Sequence, residues 1–85
     1  MRNAKEMAKI AETAQAAAYE NERKKARDFC EEIAAPEIER RANILKYDAD
    51  ITVPTYVNAI YVVEYLRMNG FKAESRTFLD VHVEW

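Results

Sequence analysis

Apolar residues recur along this chain with two different periods, and each stretch of constant period predicts an element. From Asn3 to about Asn43 good helix formers dominate, with one proline and no glycine. Asn3 offers an N-cap oxygen. Met7, Ala11, Ala14 and Ala18 make a weak helical stripe, supplied mostly by alanine, and Glu20 to Lys25 is wholly polar. A stronger stripe follows at three- or four-residue spacing: Ala26, Phe29, Cys30, Ile33, Ala34 and Ile38. This is the part of the helix with enough apolar surface to dock on a core. Pro36 interrupts it, at a cost of about 3 kcal/mol inside a helix. The result is either a kink or a fresh helix with Pro36 at its first position and Glu37 and Glu39 at the new N-terminus. Ile33 and Ile38 fit one bent apolar face, which favours the kink. Helical character fades after Asn43.

The period then shortens. Residues 48–54, DADITVP, read as a strand with Ile51 and Val53 on one face, ended by Pro54, which has no N–H for a ladder. Thr55 can cap the next helix. In TYVNAIYVVEYLRM, β-branched and aromatic residues compete with helix. Length, the terminal Asn69-Gly70 and the Glu64/Arg67 spacing decide for helix. Phe71 to Glu74 alternates in character. Leu79, Val81, Val83 and Trp85 alternate strictly with Asp80, His82 and Glu84, the signature of a half-buried strand. Trp85 therefore belongs to the core face, where it would cover the second helix near Val57 or Tyr61.

The fold class is thus α+β: a long, kinked N-terminal helix, then β-α-β-β, with a three-stranded sheet packed on the helices. The β-α-β step is expected to be a right-handed crossover and the last two strands an antiparallel hairpin. Both helices lie on one face and leave the other to solvent. The chain reads as a single domain over 1–85, with 1–20 a helical arm and 26–85 the compact core.

Length sharpens this picture. An 85-residue chain buries only about 60–65% of its unfolded surface, so self-association through the alanine-rich N-terminal helix is expected to supply further burial. The formal net charge of −2 gives no field that would draw nucleic acid or anionic lipid. Arg23, Lys24, Lys25, Arg27, Arg40 and Arg41 are interleaved with Glu20, Glu22, Asp28, Glu31, Glu32, Glu37 and Glu39, the pattern of a solvated, salt-bridged helix. A lone cysteine makes no internal disulfide. MRNAKEMAKIAETA lacks the apolar run of a signal peptide, and no segment reaches the ~20 apolar residues of a membrane span. These features suit a soluble, cytoplasmic protein.

Candidate chemistry is sparse. Asp80, His82 and Glu84 share the solvent face of the last strand, and their side-chain types could ligate a divalent metal. Alternate strand residues lie ~7 Å apart, however, and converge poorly on one ion. A solvated strand face is the simpler reading, in which replacing all three barely affects folding. Cys30, within the apolar stripe, reads as a buried thiol. No catalytic residue, metal site or cofactor is expected, and the chain does not read as an enzyme. Five tyrosines are many for this length. Tyr56, Tyr61 and Tyr65 cannot all lie on one stripe of the second helix, so they either fill the groove between the helices or present a partner-binding surface. The candidate binding residues are therefore Tyr56, Tyr61 and Tyr65, with Asp80, His82 and Glu84 as the other candidate surface.

The opening NAKE, the central FCEEIAAPEIERRA and the closing YLRMNGFKAESRTFLDVHVEW resemble small α+β accessory proteins encoded by phages and prophages of Gram-positive bacteria. Leu66, Gly70, Phe71, Val81, Val83 and Trp85 carry the resemblance. The glycine expected after the first helix is missing, with Ala42-Asn43 in its place. The resemblance implies a protein acting in the host cytoplasm that binds and inhibits a host protein, including components of anti-phage defence. The alternative is a homo-oligomeric scaffold or a small-ligand or nucleotide sponge with its site between subunits.

Overall fold

The computed structural model describes residues 3–85. Helix α1 runs Ala4–Phe29, one wide π-helical turn covers Cys30–Ala34, and helix α2 covers Ala35–Asn43. Strand β1 (Asp48–Thr52), helix α3 (Ala59–Met68) and strands β2 (Lys72–Thr77) and β3 (Asp80–Glu84) follow. The protein is α+β, a long bent helix followed by a three-stranded sheet packed on helices.

The bend has a cause in the spacing of the apolar stripe. Ala26, Cys30, Ala34 and Ile38, all buried, are separated by four residues each. Four residues of an α-helix overshoot a full turn by about 40°, so such a stripe drifts round the axis. The wide turn, closed by the Ala35 N–H donating to the Cys30 carbonyl, takes up that drift and holds all four side chains against the core. Pro36 falls in the first turn beyond it, and the backbone at Ala34 is still helical (φ −69°, ψ −44°). The helix is bent and does not restart. Ile33, expected in the stripe, is rotated outward by the same wide turn and is exposed.

Both helix stops after the bend use one device. At the end of α3, Gly70 at φ 89° lets the Phe71 N–H donate to the Leu66 carbonyl and the Gly70 N–H to that of Arg67, a Schellman motif. At the end of α2 the same pair of bonds runs from Lys46 to Arg41 and from Leu45 to Ala42. The residue in the left-handed conformation there is Leu45, at φ 64°. No glycine stands at this stop; a leucine adopts the left-handed conformation and carries the strain.

Strand order is β1-β3-β2 with both pairings antiparallel. β2 and β3 form the expected hairpin, and the last strand in sequence lies at the centre of the sheet. Asp50, His82 and Glu74 stand in one row across it. The hairpin turns at Phe78-Leu79 between the paired Thr77 and Asp80. Neither turn residue has a positive φ, and a bulge between Ser75 and Thr77 takes up the twist that a primed turn would otherwise supply.

One face of the sheet (Ala49, Ile51, Ala73, Val81, Val83) meets Ala59, Val62, Val63 and Leu66 of α3 and the stripe of the bent helix in a single core. Fully burying a valine such as Val62 or Val81, each 0% exposed, contributes about 1.5–3 kcal/mol. α3 begins later than its apolar run suggests. The Val57 N–H donates to the Pro54 carbonyl at 3.0 Å, a turn that buries Val57. Asn58, and not Thr55, caps the helix by accepting from the Ile60 N–H at 3.0 Å. Tyr56 consequently lies outside α3.

Trp85 is half-buried and packed on the core. It stacks edge-on against Phe71, with ring centroids 6.4 Å apart and planes at 89°. That places it beyond the C-terminal end of α3, away from the Val57/Tyr61 position that the sequence suggested. The register sets this: Glu84 pairs with Lys72, so the next residue falls beside Phe71.

The N-terminal part of α1 departs from this core. Every residue from Asn3 to Asn21 is exposed, and the first buried side chain is Ala26. The radius of gyration is 16.7 Å and the longest extent 63 Å, against about 12 Å for a compact domain of this length.

Candidate functional site

Three surfaces bring polar or exposed apolar side chains together. The first is the outer sheet face. His82 was expected to be solvated; it is only 9% exposed. Its Nδ1 lies 2.7 Å from Asp50 Oδ1 and its Nε2 3.1 Å from Glu84 Oε1. A neutral imidazole has a single N–H, so donating to both carboxylates takes the imidazolium. These bonds, Asp50 first and Glu84 second, hold the His82 pKa above its ordinary value. In turn the His82 hydrogen bond, with smaller help from the charges of His82, Arg76 and Arg41, holds Asp50 below the usual carboxylate value. Arg76 reaches across the row, 3.7 Å from Asp50 and 4.0 Å from Glu74, and shields the imidazole from solvent.

The structure thus joins His82 to Glu84 but leaves Asp80 at the hairpin, where it accepts from Thr77 Oγ1 at 3.3 Å. Asp50 is the member sequence reasoning missed. Its signal was present, since alternation in DADIT puts Asp50 on the outer face, but only the β1-β3 pairing sets it opposite His82. Among the described residues no group of three or more histidine, cysteine, aspartate or glutamate side chains is placed to hold a metal ion. Both imidazole nitrogens are held by carboxylates, Nδ1 by Asp50 and Nε2 by Glu84.

The second surface is an open groove of about 550 Å³ between α1 and α3. Tyr61 and Tyr65, one helical turn apart, point into it, joined by Met68 on α3 and by Ala17, Asn21 and Lys24 on α1. The Arg23 guanidinium sits 5.7 Å from the Tyr61 ring centroid, within cation–π range. The Tyr65 hydroxyl donates to the Glu31 carboxylate, which, with burial and the glutamate charge, pushes the phenol pKa up. Both tyrosines therefore serve the helix–helix groove. Cys30 lies below in the core, its thiol pushed up to about 11 by burial and the nearby Glu31 charge, and is an inert apolar filler.

Of the third surface only Tyr56 was a candidate from sequence. Tyr56, Ile60 and Phe78 line one shallow concavity, and Ile60 and Met68 line the next one along α3. All four are exposed, between 69% and 77%. They come from the β1–α3 turn, the helix and the hairpin tip, so no local periodicity links them. The carbonyls of the edge strands beside and opposite this ridge are partly claimed by arginines. Arg67 Nε donates to the Ala73 carbonyl at 2.9 Å and Arg41 Nε to the Asp48 carbonyl at 3.1 Å. Such capping discourages strand addition and leaves side chains as the means of contact.

No helix among the described residues is long and apolar enough to cross a membrane. No protein family, curated protein or solved structure matches the chain.

Proposed function

We propose that this chain is a non-enzymatic accessory protein of the phage kind that binds, and thereby inhibits, a host protein, with anti-phage defence components as the favoured targets. The observation that carries this reading is the ridge of Tyr56, Ile60, Phe78 and Met68. Contiguous large apolar side chains left this exposed mark contact surfaces in soluble proteins, and desolvated aromatics dominate affinity at interfaces. The two groups with the most familiar catalytic chemistry are both committed elsewhere, Cys30 to the core and His82 to its carboxylates. The test compares wild type with an Ile60→Asp/Phe78→Asp variant as bait in bacterial lysate. The reading expects a host protein retained by wild type and lost by the variant. Equal retention by both, or no retained protein, defeats it.

A second reading, a nucleotide or small-ligand sponge with its site between subunits, draws on the groove. Arg23 and Lys24 stand there beside Tyr61 and Tyr65, a pairing of cations with aromatic faces that suits a phosphorylated base. Calorimetry with nucleotides decides it, since heat saturating at one site per groove supports the sponge and flat titrations exclude it.

A further inference from the structure

Helix α1 is the largest unpaid liability of this fold. Every residue of its first four turns is exposed, yet isolated helices of this length are marginal in water. The exposed arm carries a strict heptad seam. Met7, Ile10, Ala14, Ala17, Asn21 and Lys24 follow one another at alternating spacings of three and four, the a/d pattern of a two-stranded contact. Met7 and Ile10 are 53% and 41% exposed. The seam does not end in solvent: its last three members, Ala17, Asn21 and Lys24, form the α1 wall of the groove that Tyr61, Tyr65 and Met68 complete on α3.

We propose that the occupant of this seam and groove is a second copy of the same chain, its α1 packed antiparallel, with Ala14 of each copy opposite Ala17 of the other. The seam is self-complementary in that register. Ile10 falls opposite Asn21 and Met7 opposite Lys24, so the two large apolar side chains of each arm enter the groove of the other copy, against Tyr61, Tyr65 and Met68. The alanine pairs at the centre allow close approach of the helices, and the Lys24 stem covers Met7 while its ammonium reaches water. Asn21, the one polar residue at an a position, faces Ile10 in this register and costs some stability there.

Charge agrees with the same register. The flanking positions place Glu6 opposite Arg27, twice by symmetry, and Thr13 opposite Glu20, with Ala4 opposite Lys25 and Ala11 opposite Ala18 on the other side. No like-charged pair faces across. A parallel pairing would stack Lys24 on Lys24 and leave both grooves open, so it is disfavoured on two counts. The contact spans residues 4–27, about 36 Å at 1.5 Å per residue. Tyr56, Ile60 and Phe78 lie outside it, and of the host-binding ridge only Met68 is shared, so variants of those three should leave the mass unchanged. A groove filled by the second arm is also closed to nucleotide.

The full chain tests this directly. Light scattering at high micromolar concentration should return twice the 9.9 kDa chain mass. Ala14→Glu should return the monomer mass with unchanged Trp85 emission. Arg27→Glu should weaken the dimer severalfold, and adding Glu6→Arg should restore it, a rescue that a folding defect would not show. Because native Cys30 is buried, introduced thiols report the register. Met7→Cys should cross-link to Lys24→Cys in a mixture and not to itself, since the two Met7 positions lie about 25 Å apart along the pair. A monomeric wild type, a mass above the dimer, self-cross-linking of Met7→Cys, or failure of the charge swap to rescue would each overturn the proposal.

Discussion

Leu45→Gly should stabilise this protein, although it removes a side chain and inserts the residue that loses most entropy on folding. Leu45 sits at φ 64° in the position that Gly70 fills at the end of α3. A left-handed conformation costs an L-residue about 1–2 kcal/mol, whereas glycine adopts it freely at an entropic cost of about 0.5–1 kcal/mol. The leucine side chain is 83% exposed, so its loss forfeits little burial. The net gain is about 0.5–1 kcal/mol, which in a domain of this size raises Tm by about 2–8 °C. Gly70→Ala is the matched control. A Cβ at Gly70 would meet nothing within 4 Å, so the torsional penalty of about 1–2 kcal/mol is offset only by the about 0.5–1 kcal/mol of glycine entropy recovered, a net loss of about 0.5–1 kcal/mol. Urea titrations and thermal melts followed by Trp85 fluorescence measure both. If Leu45→Gly melts at or below wild type while Gly70→Ala is harmless, the left-handed strain assigned to these two helix stops is not a determinant of stability.

Three further outcomes follow from the core and the outer face. The raised His82 pKa means the folded state holds its proton more tightly than the unfolded chain, so that stability is complete below the unfolded pKa of about 6.5 and is lost as pH rises through the folded value. Urea midpoints of wild type should therefore fall on going from acidic to alkaline buffer across that window, and those of His82→Gln should fall less; parallel slopes would show that the ion pairs do not form. Trp85→Ala should cost about 2 kcal/mol, roughly half the 3–5 kcal/mol typical of a fully buried aromatic, because the ring is only half-buried where it packs on the core and Phe71; a wild-type melt would show the end of β3 frayed. Cys30, its thiol held near 11 beneath α3, should react with a thiol reagent only in urea, and rapid labelling in buffer would contradict the packing of the wide turn.

The class of the fold was legible wherever the determinant is local. Strict alternation marks the half-buried strand that the structure bounds at Asp80–Glu84, with Leu79 in the preceding turn, Asn69-Gly70 stops a helix because glycine tolerates positive φ, and the stripe of Ala26, Phe29, Cys30, Ala34 and Ile38 names the docked face. What depended on more than neighbours along the chain was decided by tertiary packing. Leu45 takes a glycine's conformation because β1 must begin where the core needs Ala49 and Ile51. Ile33 leaves its stripe because a four-residue spacing stays on one face only if the helix widens. Asn58 caps α3 in place of Thr55 because Val57 is drawn into the core. His82, polar and in an outward position, is buried because β3 lies between two strands whose Asp50, Glu74 and Arg76 close over it. The ridge of Tyr56, Ile60, Phe78 and Met68 has no signature in sequence, since three separate elements contribute to it and only the folded chain brings them side by side.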